Sequence, residues 1–321
     1  MSNVRIPKVA ILMATFNGDK YLIQQIDSIL VQQGVEVFIY IRDDRSTDST
    51  LKIIQEYTKK TDKVVLLDTE SYQLNAAKNF MSIVRDTDIL QMDYIAYSDQ
   101  DDYWLPFKLH HAITAIENKH ADCYASNLIM GDSNARIINN GSFFSKLWTY
   151  LFTFKTQNKK DFDFYFESAS AGCTLVLNKQ AGLYLQKRVT SLFDLIPENA
   201  SHDWSTYAIT RLGGFKWFID DRSYIIYRQH HTNAYGSNLG WKGIAKLLNY
   251  FNSGWYRNHI LMIEDLYNNG PIHPPFIAAI KNYKHSSIVS RIQLAFAVYP
   301  YRRKWLHRIL FFLLIILGYF K

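Results

Sequence analysis

The stretch Tyr94–Trp104 reads YIAYSDQDDYW and places three carboxylates, Asp99, Asp101 and Asp102, directly after an apolar run. The apolar run Tyr94–Tyr97 has the composition of a buried strand. Three like charges at a strand end repel one another and lose hydration, so they require a counter-charge. A Mg²⁺ ion with a phosphorylated ligand would supply it, because Mg²⁺ binds one or two carboxylates together with phosphate oxygens. For an isolated Asp-x-Asp pair, a solvated acidic turn would be the better interpretation.

Apolar runs alternate with helical patterns along the first part of the chain. Strands are predicted at residues 9–14, 35–41, 64–67 and 94–97, with helices beginning near residues 19, 48 and 80. This alternation predicts an α/β fold with a mostly parallel sheet flanked by helices. Ligands of such sheets bind beyond the carboxyl ends of the strands.

Polar residues stand where these strands end. Asn17 follows the first strand, Asp43 and Asp44 end the second, and Asp99–Asp102 follows the fourth. Because parallel strands end at the same edge of a sheet, we expect these side chains to share one site.

Three later segments are candidates for the same site. Ser170–Thr174 is built of small residues, and Gly172 would let a ligand approach the backbone closely. Ser201–Trp204 begins a predicted helix, where Asp203 considered alone would be an acid stabilised by the helix dipole. Tyr227–Gly236 carries Arg228 and His230, which could bind a diphosphate or a metal, or simply belong to a structural loop.

Residues 131–166 are rich in aromatic and basic side chains. They are expected either to form a lid or to pack against the sheet.

Composition limits the class of protein. The chain has 321 residues, is 48% hydrophobic and contains two cysteines, which excludes a disulfide framework and a zinc motif. We predict a catalytic domain at residues 1–236 and a helical extension at residues 237–321. No signal-peptide pattern precedes the first apolar run, so a cytoplasmic location is expected.

The net charge of +7 is concentrated near the C-terminus, where the basic run Tyr301–Arg308 precedes the apolar run Ile309–Phe320. The apolar run is shorter than the roughly 20 residues that cross a bilayer. Residues of about 299–321 are therefore expected to lie on the anionic inner face of a membrane. The alternative is a helix packed on the protein's own core or on a second subunit, which leaves a homodimer open. Nucleic acid is not an expected partner, because no DNA- or RNA-binding module is visible.

Three of these segments together resemble the inverting nucleotide-sugar glycosyltransferases of family 2, which have the GT-A fold. They are Met13–Gly18 (MATFNG), Arg42–Asp48 (RDDRSTD) and Ser98–Trp104 (SDQDDYW), and the resemblance covers about residues 8–236. With His202–Trp204 and Tyr227–Asn233, the sequence is most similar to bacterial rhamnosyltransferases that build cell-wall, capsular or O-antigen polysaccharides. No Gln-x-x-Arg-Trp motif is present, which argues against a processive polymerase.

The resemblance implies roles for particular residues. Asp43 would accept a hydrogen bond from the pyrimidine N3–H, and Asp99 would face the ribose and donor sugar. Asp101 and His230 would hold Mg²⁺ or Mn²⁺ against the diphosphate, and Asp203 would be the general base. Further donor contacts are implied for Thr15, Asn17, Asp44, Lys78, Asn79 and Gln100, and supporting roles for Asp102, Trp104, Gly172, His202, Trp204 and Arg228.

The resemblance implies transfer of a sugar, L-rhamnose from dTDP-rhamnose, to a lipid-linked or growing glycan. A UDP-hexose or UDP-N-acetylhexosamine is the alternative donor, since thymine and uracil present the same N3–H edge to Asp43. A non-catalytic scaffold that binds nucleotide sugars is an alternative of another class, but it would be expected to lose Asp203 or Asp101. A nucleotidyltransferase would need a glycine-rich triphosphate loop, which Thr15–Gly18 (TFNG) is not.

Overall fold

The computed structural model describes residues 5–138, 159–229 and 248–321. In these ranges the strands are β1 (Lys8–Thr15), β2 (Glu36–Asp43), β3 (Val64–Leu66), β4 (Tyr94–Ser98), β5 (Tyr103–Trp104), β6 (Cys123–Gly131), β7 (Val176–Asn178) and β8 (Trp217–Arg228). They form one sheet in the order β3-β2-β1-β4-β7-β6-β8-β5.

Helices lie between and after these strands. They are α1 (Asp19–Leu30), α2 (Thr50–Lys60), α3 (Ala76–Asp86), α4 (Lys108–Asn118), α5 (Lys179–Leu192), α6 (His202–Leu212), α7 (Trp255–Met262), α8 (Phe276–Lys281), α9 (Ile288–Val298) and α10 (Trp305–Ile316). Short 3₁₀ turns form at Asp163–Tyr165 and Gly172–Thr174.

The first half of the sheet is parallel, as the sequence predicts. β1 pairs in parallel with β2 and with β4, which sets Thr15 opposite Asp43 and Met13 opposite Ser98. Side chains of β1 are buried on both faces of the sheet, because helices cover both sides. The carboxyl ends of β1, β2 and β4 therefore meet at one edge.

The second half of the sheet is mixed. β7 pairs antiparallel with both β4 and β6, whereas β6 and β8 are parallel. Trp104 lies in β5, a two-residue strand antiparallel to β8 that the sequence pattern did not predict. The pairing fixes the end of β8 beside the acidic stretch that follows β4.

The C-terminal helices share an apolar core with the sheet. Phe276 of α8, Leu294 of α9 and Phe311 of α10 are buried in the same cluster as Tyr97 of β4 and Trp204 of α6. The predicted domain boundary at residue 236 lies outside the described residues, so the two-domain division stays a prediction. No helix within the described ranges is long and apolar enough to cross a membrane.

The basic run near the C-terminus is only partly a surface feature. The side chain of Arg303 is fully buried and pairs with Asp163 at 3.2 Å and with Glu167 at 3.4 Å. Lys304 is also buried. The expectation that the whole run faces a membrane is therefore wrong for these two residues, because buried acids neutralise Arg303.

Candidate active site

The end of β1 is joined to the end of β2 by a buried carboxylate. Asp43 is 2% exposed and accepts hydrogen bonds from Thr15 Oγ1 at 3.0 Å and from Ser46 Oγ at 2.6 Å. The Ser46 backbone N–H donates to its other oxygen at 2.8 Å. The structure thus brings Asp43 and Thr15 together as predicted, and it holds the carboxylate in one orientation.

The neighbouring carboxylate, Asp44, supports the adjoining loop. The Leu74 backbone N–H donates to Asp44 Oδ1 at 2.7 Å. Burial raises the pKa of Asp44, and the hydrogen bond from Leu74 opposes that rise.

The loop after β1 is fastened by two side-chain amides. Gln100 accepts from the Phe16 backbone N–H at 2.9 Å and donates to the Phe16 carbonyl at 3.0 Å. Asn17, with φ of +47°, accepts from the Thr47 backbone N–H at 2.8 Å. A Cβ at Gly18 would lie 2.2 Å from Gln100 Oε1, which explains the glycine. Gln100 and Asn17 therefore hold the loop that borders the predicted nucleotide pocket.

The acidic stretch after β4 is a cluster of coupled charges. Loss of hydration and then the Asp101 charge raise the pKa of Asp99 to about 7. Asp102 is fully buried, neither of its oxygens accepts a hydrogen bond of ordinary geometry from the described residues, and burial raises its pKa. The surroundings of Asp99 and Asp102 therefore provide too little hydration and hydrogen bonding for the negative charge of this stretch, as the sequence predicts.

Two residues of this cluster were missed by sequence reasoning. Lys108 of α4 is 1% exposed, and its Nζ lies 3.3 Å from the centre of the Trp104 ring. The negative charges of Asp99 and Asp102 act on its ammonium group. Burial lowers the pKa of Lys108 to about 7. Cys173 is buried with its sulfur within 4.8 Å of oxygens of Asp99 and Asp102. Helical spacing made Lys108 resemble an ordinary surface position, so only its proximity to Trp104 could have signalled its burial.

Asp203 lies at the first turn of α6, in the electrostatic field of the cluster. Its charge contributes to the raised pKa of Asp99, after the larger effects of burial and of the Asp101 charge. Asp203 Oδ1 accepts hydrogen bonds from the Ser201 hydroxyl and, at 2.8 Å, from the Trp204 backbone N–H. No hydrogen bond from the described residues reaches the other carboxylate oxygen, which suits a group that receives a proton.

The residues around Asp203 fix the start of α6. The His202 ring stacks on Phe80 with centroids 4.0 Å apart, and burial lowers its pKa. A Cβ at Gly172 would lie 2.2 Å from His202 Nε2. The imidazole therefore occupies the space that a side chain at Gly172 would need, while the approach of a ligand to this glycine stays a prediction. Trp204 Nε1 donates to the Phe164 carbonyl at 2.6 Å.

Arg228 is buried, which identifies it as a support for the acidic stretch. Its guanidinium donates to the carbonyl of Asp101 at 2.7 Å, to the carbonyl of Ser133 at 2.8 Å and to Gln24 Oε1 at 2.7 Å. Trp104 is also fully buried, and its backbone N–H donates to Ser28 Oγ at 3.2 Å. Both residues therefore support the backbone at and just after the acidic stretch Asp99–Asp102.

The remaining predicted positions differ in their surroundings. Asn79 is 1% exposed and donates to the Arg42 carbonyl at 3.2 Å, so its side chain tethers α3 to β2. Lys78 lies partly exposed, with Nζ 5.3 Å from the centre of the Phe193 ring. His230 lies outside the described residues.

The donor chemistry of the cluster fits a divalent cation. Asp99, Asp102 and Cys173 offer ligand atoms within 4.8 Å of one another, and Asp101 adds a partly exposed carboxylate. Carboxylate oxygens are the ligands that Mg²⁺ and Mn²⁺ prefer. The buried, unsolvated oxygens of Asp102 have the same need for positive charge.

Comparison with known proteins places this geometry in a family. The family described as Glycosyl transferase family 2 matches residues 10–175. The dTDP-rhamnosyl transferase RfbG of Shigella flexneri is 30% identical over 311 residues, which span 96% of this chain and 100% of that protein.

Solved structures agree on the fold. Staphylococcus aureus TarS 1–349 in complex with UDP-GlcNAc superposes with a TM-score of 0.53 at 14% identity, covering 96% of this chain and 81% of that one. The mannosyltransferase PcManGT of Pyrobaculum calidifontis, in complex with GDP-Man and Mn²⁺, gives a TM-score of 0.51 at 13% identity over 92% and 74%. This protein therefore has the GT-A fold and is a glycosyltransferase that belongs to family 2.

Proposed function

We propose that this enzyme transfers L-rhamnose from dTDP-rhamnose to a hydroxyl group of a growing or lipid-linked glycan, with inversion at the anomeric carbon. The observation that carries the proposal is that Asp203, in the first turn of α6, and Asp99, just after β4, stand on elements joined by the 2.8 Å hydrogen bond between Tyr97 and Thr206, so that the Asp203 charge acts on Asp99. The choice of rhamnose rests on similarity to a dTDP-rhamnosyl transferase over that protein's whole length.

The nucleotide is proposed to bind at the edge formed by β1 and β2. Asp43, oriented by Thr15 and Ser46, would accept a hydrogen bond from the N3–H of thymine. Asn17 and Gln100 would shape the pocket through the loop they hold. Asp99 would face the ribose and the sugar, with Asp44 and Asn79 acting through the backbone they fasten.

A bound Mg²⁺ or Mn²⁺ would neutralise the diphosphate leaving group as a Lewis acid. Asp101 is proposed as the residue that holds it, with His230 beside it. Arg228 and Trp104 would keep Asp101 in position through its backbone, since the Arg228 guanidinium bonds to the Asp101 carbonyl.

Asp203 is proposed as the general base. It would take the proton of the acceptor hydroxyl while the hydroxyl oxygen attacks the anomeric carbon from the face opposite the diphosphate. Base catalysis by one positioned carboxylate typically contributes about 10²–10⁴ in rate. His202 and Trp204, anchored to Phe80 and to the Phe164 carbonyl, would position the helix turn that carries it.

The acceptor is proposed to reside at a membrane, on its cytoplasmic face. The support is the basic and apolar composition of residues 299–321, which suits an enzyme whose glycan substrate is attached to a lipid.

A donor titration tests the proposal. Purified protein with Mn²⁺ or Mg²⁺ is titrated by calorimetry with dTDP-rhamnose, UDP-glucose, UDP-galactose and UDP-N-acetylglucosamine. Selective, metal-dependent binding of dTDP-rhamnose is expected. Preference for a UDP-sugar would overturn the rhamnose assignment. Donor binding without hydrolysis that persists in a variant lacking both Asp203 and Asp101 would favour a scaffold.

A further inference from the structure

The two C-terminal helices α9 and α10 pack against each other and against the core with only one side each. Leu294, Ala295 and Val298 of α9 are buried, as are Phe311, Leu314 and Ile315 of α10. The Phe296 and Phe312 rings meet edge to face with centroids 5.1 Å apart. The pair is thus a packed helical hairpin with an inner side fixed by the protein.

The outer side of this hairpin is apolar and exposed. In α9 and just beyond it, the exposed residues share one helical face: Ile288, Val289, Ile292, Phe296 and Tyr299. In α10 they recur every fourth residue: Trp305, Ile309, Leu313 and, one position past the helix, Leu317. Phe296 and Leu317 are each 66% exposed and Trp305 is 63% exposed.

This concentration of apolar surface is local. With Tyr319, ten large exposed apolar side chains fall between residues 288 and 319, while the other eleven in the described ranges are scattered from Ile6 to Ile272. Scattered apolar residues are normal on a protein surface, whereas a contiguous patch marks an interaction site. We call this outer side of α9 and α10 the hairpin face.

The charge around the hairpin face selects its partner. Residues 266–321 contain eight lysines and arginines and no aspartate or glutamate, which leaves the preceding 265 residues close to neutral. Arg303 is neutralised internally, but Lys284 and Lys321 are exposed, and Arg291, Arg302 and Arg308 are partly exposed. Cations beside an apolar face with Trp305, Tyr299 and Tyr319 match the headgroup region of an anionic bilayer.

A second copy of the chain fits less well. A two-fold dimer through the hairpin face would set the same patch against itself. Its cations would then meet cations, with no acidic residue in the segment to pair with them, which costs association free energy.

We propose that the hairpin face, formed by α9 and α10 together, docks in the plane of an anionic lipid surface. This inference rests on the membrane-linked acceptor of the proposed function and adds α9, whose sequence carries no basic run. The two helices would lie side by side at the headgroup level, with Lys284, Arg291 and Lys321 toward the lipid phosphates.

Vesicle flotation without donor tests this. The full chain is mixed with phosphatidylcholine vesicles, with or without phosphatidylglycerol, and the bound fraction is measured. Wild type should bind only the anionic vesicles. Ile292→Asn with Phe296→Asn in α9, and Leu313→Asn with Leu317→Asn in α10, should each weaken binding at least roughly tenfold, because each pair removes two insertable apolar side chains.

The matched control is Leu90→Asn with Ile137→Asn, two exposed apolar residues elsewhere, which should bind as wild type does. Circular dichroism of each variant checks that the fold is intact. Full binding by the α9 pair would overturn the two-helix face while leaving a contact by α10. Absence of wild-type binding, or self-association in sedimentation that both pairs abolish, would overturn lipid docking. The donor titration contains no lipid, so its failure is distinguishable from these results.

Discussion

The hydroxyl group of Tyr97 lies 2.8 Å from Thr206 Oγ1. Tyr97 is in β4, two residues before Asp99, and Thr206 is in α6, one turn after Asp203. This buried hydrogen bond therefore ties the strand that delivers the acidic stretch to the helix that delivers the proposed base. The bond joins two parts of the chain that are separated by about a third of the sequence.

Replacement of Asp203 by asparagine tests the proposed base. Asp203→Asn keeps the shape and the hydrogen bond from the Trp204 N–H but removes the basic oxygen. Donor binding should stay within about twofold, while turnover of dTDP-rhamnose falls by roughly 10²-fold or more. Asp194→Asn, at an exposed acid outside the site, should leave both unchanged. Turnover near the wild-type rate in Asp203→Asn would remove Asp203 as the base.

Asp101 is tested by metal dependence. Asp101→Ala should abolish the increase in donor affinity that Mn²⁺ causes, because the carboxylate proposed to hold the ion is gone. Binding is measured by calorimetry with and without Mn²⁺. Asp88→Ala, at an exposed acid on another loop, serves as the control. A metal effect that persists in full would show that other residues hold the ion.

Gln100 is expected to act through the loop rather than through the chemistry. Gln100→Ala deletes two hydrogen bonds to Phe16, which should lower the free energy of unfolding by about 1–2 kcal/mol. It should raise the KM for donor several-fold with little change in kcat. Urea unfolding and steady-state kinetics measure the two effects. A large fall in kcat at unchanged KM would contradict a loop-holding role.

The buried pair of Arg303 with Asp163 and Glu167 should anchor the C-terminal hairpin. Arg303→Met removes the guanidinium from both carboxylates, while Asp163 keeps its 2.9 Å contact with Arg211, so the free energy of unfolding should fall by about 3 kcal/mol. Lys284→Met, at an exposed lysine, should change it little. Urea denaturation followed by tryptophan fluorescence compares the two variants. Equal stability would mean that the ion pair contributes nothing net.

His259 gives the stability a predictable dependence on pH. Its ring is 4% exposed and stacks 4.0 Å from Trp204, and burial lowers its pKa to about 3. Below the unfolded pKa of about 6.5 the unfolded chain binds a proton that the folded protein rejects, so stability falls as pH falls. Between about pH 7 and pH 5 the loss from this residue should be about 2 kcal/mol.

His259→Phe preserves the aromatic packing and removes the titration. The variant should therefore lose about 2 kcal/mol less than wild type over the same pH interval, as measured by urea unfolding. The same pH slope in both proteins would show that His259 is not the group responsible.

The sequence predicted the fold and the candidate site where the candidate functional residues stand at strand ends. The apolar run of β1 and the acids after β2 and β4 predicted both the parallel sheet and the shared edge, because parallel strands must end together. Asp43 and Thr15 meet there through a 3.0 Å hydrogen bond. The motifs that carried the family resemblance lie on this same edge.

Sequence reasoning failed where a side chain's direction depends on tertiary packing. Lys108 is buried beside the Trp104 ring, whereas a lysine at the start of a helix is ordinarily solvated. Arg303 belongs to a run that resembles a surface patch, yet its side chain enters the core and pairs there with Asp163 and Glu167, some 140 residues earlier. Gly172 packs against His202, a contact that its run of small residues did not predict. Apart from the spacing of Trp104 and Lys108, these contacts have no local signal in the sequence.

The anomeric configuration of the product tests the central claim most directly. The enzyme with Mn²⁺ is supplied with dTDP-β-L-rhamnose and a simple alcohol as surrogate acceptor, and the resulting glycoside is identified by NMR. Direct displacement assisted by Asp203 predicts an α-L-rhamnoside, absent when Asp203→Asn replaces the wild type. A β-L-rhamnoside would contradict it, since retention requires a different mechanism from attack opposite the leaving diphosphate.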